Sequence, residues 1–434
     1  MSNRNVSRRS FIRSTSSAAA LSAAGPALGA LGANEKIRVG SIGTGGQGTF
    51  HLKQLREFKD VEVVAVCDVD PQRRKAAAKV HDNKPKQTKE FRDVIDNKDI
   101  DAVFIATCGH WHAIPAIEAM KAGKDVYCEK PMGHTIREGR LIADTQKKYK
   151  RVFQTGTQQR SGPHWIYARK RIKDGEIGQI FTINVWNAWN TKEMGGNLGN
   201  PPDSDPPAGV DYDRWLGPAP KRPFNKARWH FSFYFHFDYS GGMVSAWAVH
   251  LFDVVLWYMG FNVKSVATAG GIYVLKDARD TPDTASAVFD CGDHVMTYSI
   301  RHANGWRLHD NMDHGIEFIG TEGVLQINRN GYKMFHEADR VTRKPYYTEE
   351  RAGKDWANSL RLHKKNFFDC MRSRKKTNVD ATDGHLGAIP GHLANISYRV
   401  GGQRLQWDAK NETIPNCPEA AKLLTKEYRA PWIL

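Results

Sequence analysis

Ile37-Arg38-Val39-Gly40-Ser41-Ile42 runs directly into Gly43-Thr44-Gly45-Gly46-Gln47-Gly48, and Thr49–Phe58 follows. The apolar run reads as a buried strand, the glycines as a tight turn, and Thr49–Phe58 as a helix. A second apolar run, Val61–Val66, ends at Cys67-Asp68. Strand, Gly-x-Gly-x-x-Gly turn, helix, strand and acid in that order make a dinucleotide-binding unit. Gly43 permits the turn, Gly45 lets the backbone approach a pyrophosphate, and Gly48 lets the helix pack close to the strand. Thr44, Gly46 and Gln47 complete the loop, whose helical N–H groups and dipole favour phosphate charge. Asp68 is placed to accept from both ribose hydroxyls, which selects NAD. Arg73 and Arg74 close behind leave room for NADP.

Short strands and helices keep alternating from there: Pro71–Val80, Ala102–Ala106, Ala113–Ala122, Asp125–Cys128, Thr135–Tyr149 and Val152–Thr155. That pattern implies a doubly wound parallel sheet, with ligands collecting beyond the strand C-termini. Two strand exits are therefore expected at the cofactor. Thr107, His110, Trp111 and His112 leave one; Glu129-Lys130-Pro131 leaves the other, which sets Lys130 near the nicotinamide. After Thr157 the texture changes. Gln179–Trp189 reads as a strand, and 190–230 is an aperiodic loop rich in Pro, Gly, Trp and Arg, of the kind that usually serves function. Gly242–Met259 reads as one apolar helix, and a series of alternating runs from Val263 to Asn328 reads as a mostly antiparallel sheet. Asp355–Ser373 and Ala388–Gln403 are further helices. The fold class is thus α/β: a Rossmann domain over 34–156 and an α+β domain over 157–434 with a large, mostly antiparallel sheet. The open face of that sheet is expected to make a homo-oligomer, and Glu427–Leu434 to dock as an apolar tail.

The chain has 434 residues, is 40% hydrophobic and 25% charged, and carries a formal net charge of +16. The basic excess is spread over solvated helix ends, so no nucleic-acid partner is expected. Ser7-Arg8-Arg9-Ser10-Phe11-Ile12-Arg13 and the weakly apolar run Ala18–Leu31 resemble a twin-arginine export signal over 1–33. Export in the folded state would place the protein in the periplasm with a tightly held, recycled cofactor. No membrane span is expected. The six cysteines have no metal-like spacing and read as buried free thiols. No metal site is expected either, because His110-x-His112 lacks a third ligand.

The glycine loop, Glu129-Lys130-Pro131, Gly156-Thr157-Gln158-Gln159-Arg160, Trp215-Leu216-Gly217-Pro218, Gly241-Gly242-Met243 and His250-x-x-Asp253 together resemble the Gfo/Idh/MocA oxidoreductases. The closing Tyr428-Arg429-x-Pro431-Trp432-x-Leu434 is similar to exported members. The resemblance implies hydride transfer between NAD(P) and a secondary alcohol of a sugar, polyol or glycoside. It implies that Lys130 is the lysine beside the reacting carbon and His250 the histidine of an Asp-x-x-x-His pair. The spacing places such a pair on one helical face, so that the acid orients the imidazole. Here the acid's position is Ala246, and Asp253 is a candidate substitute.

Gln158 is a further cofactor candidate. Gln159, Arg160, Trp186, Arg228 and His230 are substrate candidates, with Trp189 and His236 as possible sugar-site walls. Two competing readings keep the nucleotide. One is a glycoside hydrolase or lyase working through transient sugar oxidation. The other is a non-catalytic nucleotide-bound sensor, which the loss of the acid at Ala246 invites.

Overall fold

The computed structural model describes residues 36–190, 196–307, 311–337, 347–352 and 356–434. The export-signal reading of 1–33 lies outside the described residues. β1 (Ile37–Ile42), β2 (Val61–Cys67), β3 (Lys86–Thr88), β4 (Ala102–Ile105), β5 (Asp125–Cys128) and β6 (Phe153–Thr155) form one sheet in the order β3-β2-β1-β4-β5-β6. All its pairings are parallel. The apolar strands are buried on both faces because helices cover both, as a parallel sheet requires. Helix Ile136–Tyr149 begins at Thr135, whose hydroxyl accepts from Glu138 N–H at 3.2 Å, a side-chain cap on an otherwise orphan donor.

Among the described residues the second sheet has nine strands, β7 (Ile180–Ala188), β8 (Ser265–Gly271), β9 (Thr284–Asp290), β10 (Val295–Arg301), β11 (His314–Gly320), β12 (Gly323–Asn328), β13 (Gly331–His336), β14 (Tyr347–Ala352) and β15 (Leu405–Gln406). Their order is β14-β13-β12-β11-β7-β10-β9-β8-β15, antiparallel throughout except β7 with β10. One face buries Ile183, Val185, Met296, Tyr298, Ile316 and Phe318 against helix Val249–Met259 and helix Ala381–Arg399.

Helix Trp356–Ser373 crosses back to the first sheet. Its Phe367, Phe368 and Met371 share a core with Val39, Leu52, Phe104 and Tyr127, so late sequence closes the early fold. The segment expected as one helix over Gly242–Met259 is two, Gly242–Ala246 and Val249–Met259. At the break Ala248 N–H reaches Met243 O and His250 N–H turns to Trp247 O. The Ala246 carbonyl, which an unbroken helix would bond to His250 N–H, is released to another donor.

Candidate active site

A cavity of about 470 Å³ opens beyond the C-terminal ends of β1, β2, β4 and β5. Gly43, Gly45, Gly46 and Gln47 line it at one side and Asp68 at another; Thr107, Trp111, His112, Glu129 and Lys130 complete the strand-exit wall. Two of the loop glycines are needed where they stand. Gly43 has φ +84°, and a Cβ there would lie 2.6 Å from Thr107 N. A Cβ at Gly48 would lie 2.0 Å from Gly43 O, so only glycine lets the helix approach the turn.

Asp68 is fixed rather than free to swing. Its Oδ2 accepts from Thr44 N–H at 2.8 Å and Thr44 Oγ1 at 3.2 Å, and its Oδ1 accepts from Asp70 N–H at 3.0 Å. Burial raises its carboxyl pKa, and these bonds oppose that rise. Thr44 therefore serves the site by holding the acid. Glu129 is held likewise, its Oε1 accepting from His51 Nε2–H at 2.8 Å and from Gln47 Nε2–H at 3.1 Å. These donors and Lys130 outweigh burial and keep its carboxyl at about 2. A cradle of glycine backbone, a fixed acid at the second strand and an amine at the fifth fits a dinucleotide.

Lys130 Nζ donates to the Ala246 carbonyl at 2.8 Å and lies 6.0 Å from the Tyr234 ring centroid. Lys130-Pro131 is a cis peptide. Desolvation lowers the ammonium pKa, with Glu129 opposing and Arg329 assisting. His250 is buried, and its Nδ1–H donates to Gln159 Oε1 at 3.1 Å. Burial, with Lys130 and Arg329 nearby, pushes its pKa well below 6.5, so the imidazole is neutral and Nε2 carries the lone pair. The neutral amide of Gln159 thus does the orienting expected of a carboxylate, and both residues stand behind the cavity wall rather than on it.

Several expected site residues stand elsewhere. Asp253 does not orient His250: it takes Arg160 bidentately, at 3.0 and 2.8 Å. Arg160 also pairs with Asp383 at 3.3 Å, so its guanidinium is committed to the fold rather than to substrate. Gln158 is buried in the turn 158–161, off the cavity wall. His110 is buried against Trp215 and Tyr239 with Nε2–H on Trp215 O at 3.0 Å, also off the wall. Trp186 lies under the second sheet with its N–H on Met312 O, and Trp189 donates to Asp313. Arg228 binds Asp203 and Pro223 O in the outer loop, and His236 binds Ala227 O. His230 does line the cavity, but beside Asp70 and Arg73 rather than near Lys130.

The aromatic turn His230–Phe235 supplies walls that no motif announced, Phe231, Phe233 and Tyr234. Its signal was the density of aromatics inside an aperiodic loop. Trp111, on the opposite wall, is itself packed from behind by Trp432, edge to face at 4.7 Å. Arg429 ties that tail down through Gly217 O at 2.8 Å and Asp213 at 2.6 Å.

Residues 37–157 match the oxidoreductase family described as an NAD-binding Rossmann fold, and 167–284 match the same family's C-terminal alpha/beta domain. A glycosyl hydrolase family 109 protein of Stenotrophomonas maltophilia is 31% identical over 361 residues, 75% of each chain. The chain belongs to the Gfo/Idh/MocA oxidoreductase family. Its first domain is the family's NAD-binding Rossmann fold. Inositol 2-dehydrogenase of Salmonella typhimurium is 36% identical over 150 residues, which are 34% of this chain and span 45% of that enzyme. A levoglucosan dehydrogenase solved with NADH and levoglucosan superposes with a TM-score of 0.65 at 20% identity, over 86% of this chain and 99% of that one, a likeness of fold. Among the described residues of this family member no helix is long and apolar enough to cross a membrane.

Proposed function

We propose that the protein transfers hydride between tightly bound NAD and a secondary alcohol of a sugar, polyol or glycoside. The observation that carries this is Lys130: a desolvated amine on the wall shared with the glycine loop, tethered by one donor and adjacent to the helix of His250. Bound NAD supplies or accepts the hydride. Lys130 offers its remaining donors to the alcohol oxygen and stabilises the charge that develops there. The neutral His250 imidazole takes the hydroxyl proton and returns it in the reverse direction. Inositol and levoglucosan, named for the relatives, support polyols and sugars as the substrate class.

Two further readings accompany it. The basic twin-arginine segment supports export to the periplasm, where a retained cofactor is recycled rather than exchanged. The outer face of the second sheet carries a cross-strand ladder, Thr297 to Asn184 to Glu317 to Gln326, flanked by exposed Val288 and Val295. A partly apolar face with its polar groups already paired among themselves supports a homo-oligomer through this sheet.

The deciding experiment unfolds purified protein, identifies the released nucleotide, and adds myo-inositol and levoglucosan to intact protein while following nicotinamide absorbance. Reduction of the bound nucleotide is the expected result. Aglycone release from glycosides with no net NADH would replace this reading by the hydrolytic one. Light scattering that finds a monomer would remove the oligomer.

A further inference from the structure

The turn His230–Phe235 is held at both ends and open between them. Trp229, just before it, is buried with Trp215 and Tyr239, its ring 5.1 Å from that of Trp215. Phe235, at its end, is buried in the core under the second sheet. Its carbonyl accepts from Asp280 N–H at 3.2 Å and from Thr281 Oγ1–H at 3.3 Å. Between these anchors no residue is buried: His230, Ser232, Phe233 and Tyr234 are half-buried and Phe231 is 44% exposed. Four of the five, all but Ser232, line the cavity. Phe233 and Tyr234 pack on the flanking cores with part of their surface and leave the rest to whatever fills the cavity.

The turn reaches from one end of the dinucleotide cradle to the other. At its start His230 Nε2 lies 3.8 Å from Asp70 Oδ2, two residues beyond Asp68. Burial and the nearby Arg73 hold its imidazole neutral, at about 4. Arg73 in turn lies over the glycine loop, where a Cβ on Gly45 would stand 2.6 Å from its Nη1. Near the end of the turn the Tyr234 ring centroid is 6.0 Å from Lys130 Nζ. The acid at the second strand addresses the adenosine ribose and the amine at the fifth addresses the nicotinamide, and one six-residue turn bridges them. Phe233 stacks on Tyr234 at 4.2 Å and Phe231 meets Tyr234 at 5.2 Å, so the rings make a continuous row. His230 also has φ +55°, a left-handed backbone that strains a non-glycine residue and recurs at ligand clamps.

We propose that His230–Phe235 is a clasp on the bound nucleotide: its side chains hold NAD from the adenosine ribose to the nicotinamide and set how slowly it leaves. This rests on the NAD reading above, since Asp68 and Lys130 define the two ends. Anchorage at Trp229 and Phe235 lets the middle of the turn lift without opening either core, so release needs only local movement of half-exposed residues. A row of aromatic rings against the nucleotide also keeps water from it, as recycling of the cofactor in place requires.

Three substitutions test the clasp. Phe231→Ala removes its most exposed ring, and Phe231→Leu keeps an apolar cover. His230→Gly removes the imidazole and keeps the left-handed backbone. Each protein is loaded with NADH and mixed rapidly with excess NAD, with no sugar present, and release is followed by nicotinamide fluorescence. F231A and H230G should release NADH about tenfold faster than wild type and F231L within about threefold of it, with thermal midpoints alike in the absence of nucleotide. Release within about twofold of wild type in both F231A and H230G would overturn the proposal. So would a loss of sugar affinity in F231A with nucleotide release unchanged, which would make the turn a substrate wall. A wild type that binds no NADH would overturn the clasp and the NAD reading together. A wild type that holds NADH yet passes no hydride to or from a sugar removes the redox reading alone, and the release rates still decide the clasp.

Discussion

Lys130 Nζ and the carbonyl oxygen of Ala246 are 2.8 Å apart, and the bond exists because the helix breaks at Ala246. A neutral carbonyl positions the amine without pinning its charge, as a carboxylate would. Desolvation is then free to lower the ammonium pKa and prepare it for proton exchange. The position at which the resemblance led us to expect an acid contributes its backbone here.

Replacing Lys130 with Ala should lower single-turnover reduction of bound nucleotide by roughly 10²- to 10⁴-fold, the usual scale for a positioned acid–base group. Nucleotide should co-purify unchanged, since Gly43, Gly45 and Asp68 remain. Rapid-mixing absorbance at the nicotinamide band measures the first quantity, and nucleotide released on unfolding measures the second.

Gln159→Glu would set a carboxylate against His250 Nδ1 in place of the amide at 3.1 Å. An adjacent negative charge favours the imidazolium, so the His250 pKa rises from its depressed position. The acid limb of the turnover–pH profile should move to higher pH in Q159E. An acid limb that stays where wild type has it would show that His250 is not the titrating base.

Arg160 predicts a loss of stability rather than of affinity. Its two bonds to Asp253 are buried, so Arg160→Ala leaves an uncompensated acid in the core and should cost roughly 3–5 kcal/mol in urea unfolding. Arg160→Lys should recover only part, because one ammonium cannot reproduce the fork. The Michaelis constant of whatever R160K folds should stay within about threefold of wild type, because the side chain is already engaged by Asp253 and Asp383.

Acid lability should trace in part to His51. Packed against Phe104 and Tyr127, it is held by burial at about 4, against 6.5 in the unfolded chain. Between those values the unfolded state binds more protons, so stability is fully present above pH 6.5 and is lost as pH falls toward 4. His363 and His392, also held at about 4, act in the same direction. His51→Gln keeps a donor for Glu129 and does not titrate. Its unfolding free energy should fall less steeply over that interval, by about one proton's worth of slope, or about 1.4 kcal/mol per pH unit. Scanning calorimetry at stepped pH gives the comparison.

The glycine loop and Asp68 were legible because the Gly-x-Gly-x-x-Gly spacing between two apolar runs, with an acid closing the second, is carried by contiguous sequence. Lys130 was legible because a strand exit fixes where its side chain emerges. The roles of Gln159 and Arg160 were not, although the two are adjacent in sequence. One turns to His250 and the other to Asp253, and the choice is made by distant elements. Asp383 lies still further along the chain. The helix break was hidden because Ala246, Trp247 and Ala248 all favour or tolerate helix, and the carbonyl that matters belongs to no side chain. The short polar β3 and the two-residue β15 are too brief for any periodicity to register.

Trp432 seated on Trp111 has a consequence for biosynthesis. Residue 111 leaves the ribosome long before residue 432 does, so a nascent chain paused between them displays a nucleotide crevice whose rear wall is missing. The same holds for Phe367 and Phe368 under the first sheet. The wall behind the nucleotide crevice is therefore completed only when the last residues of the chain are in place.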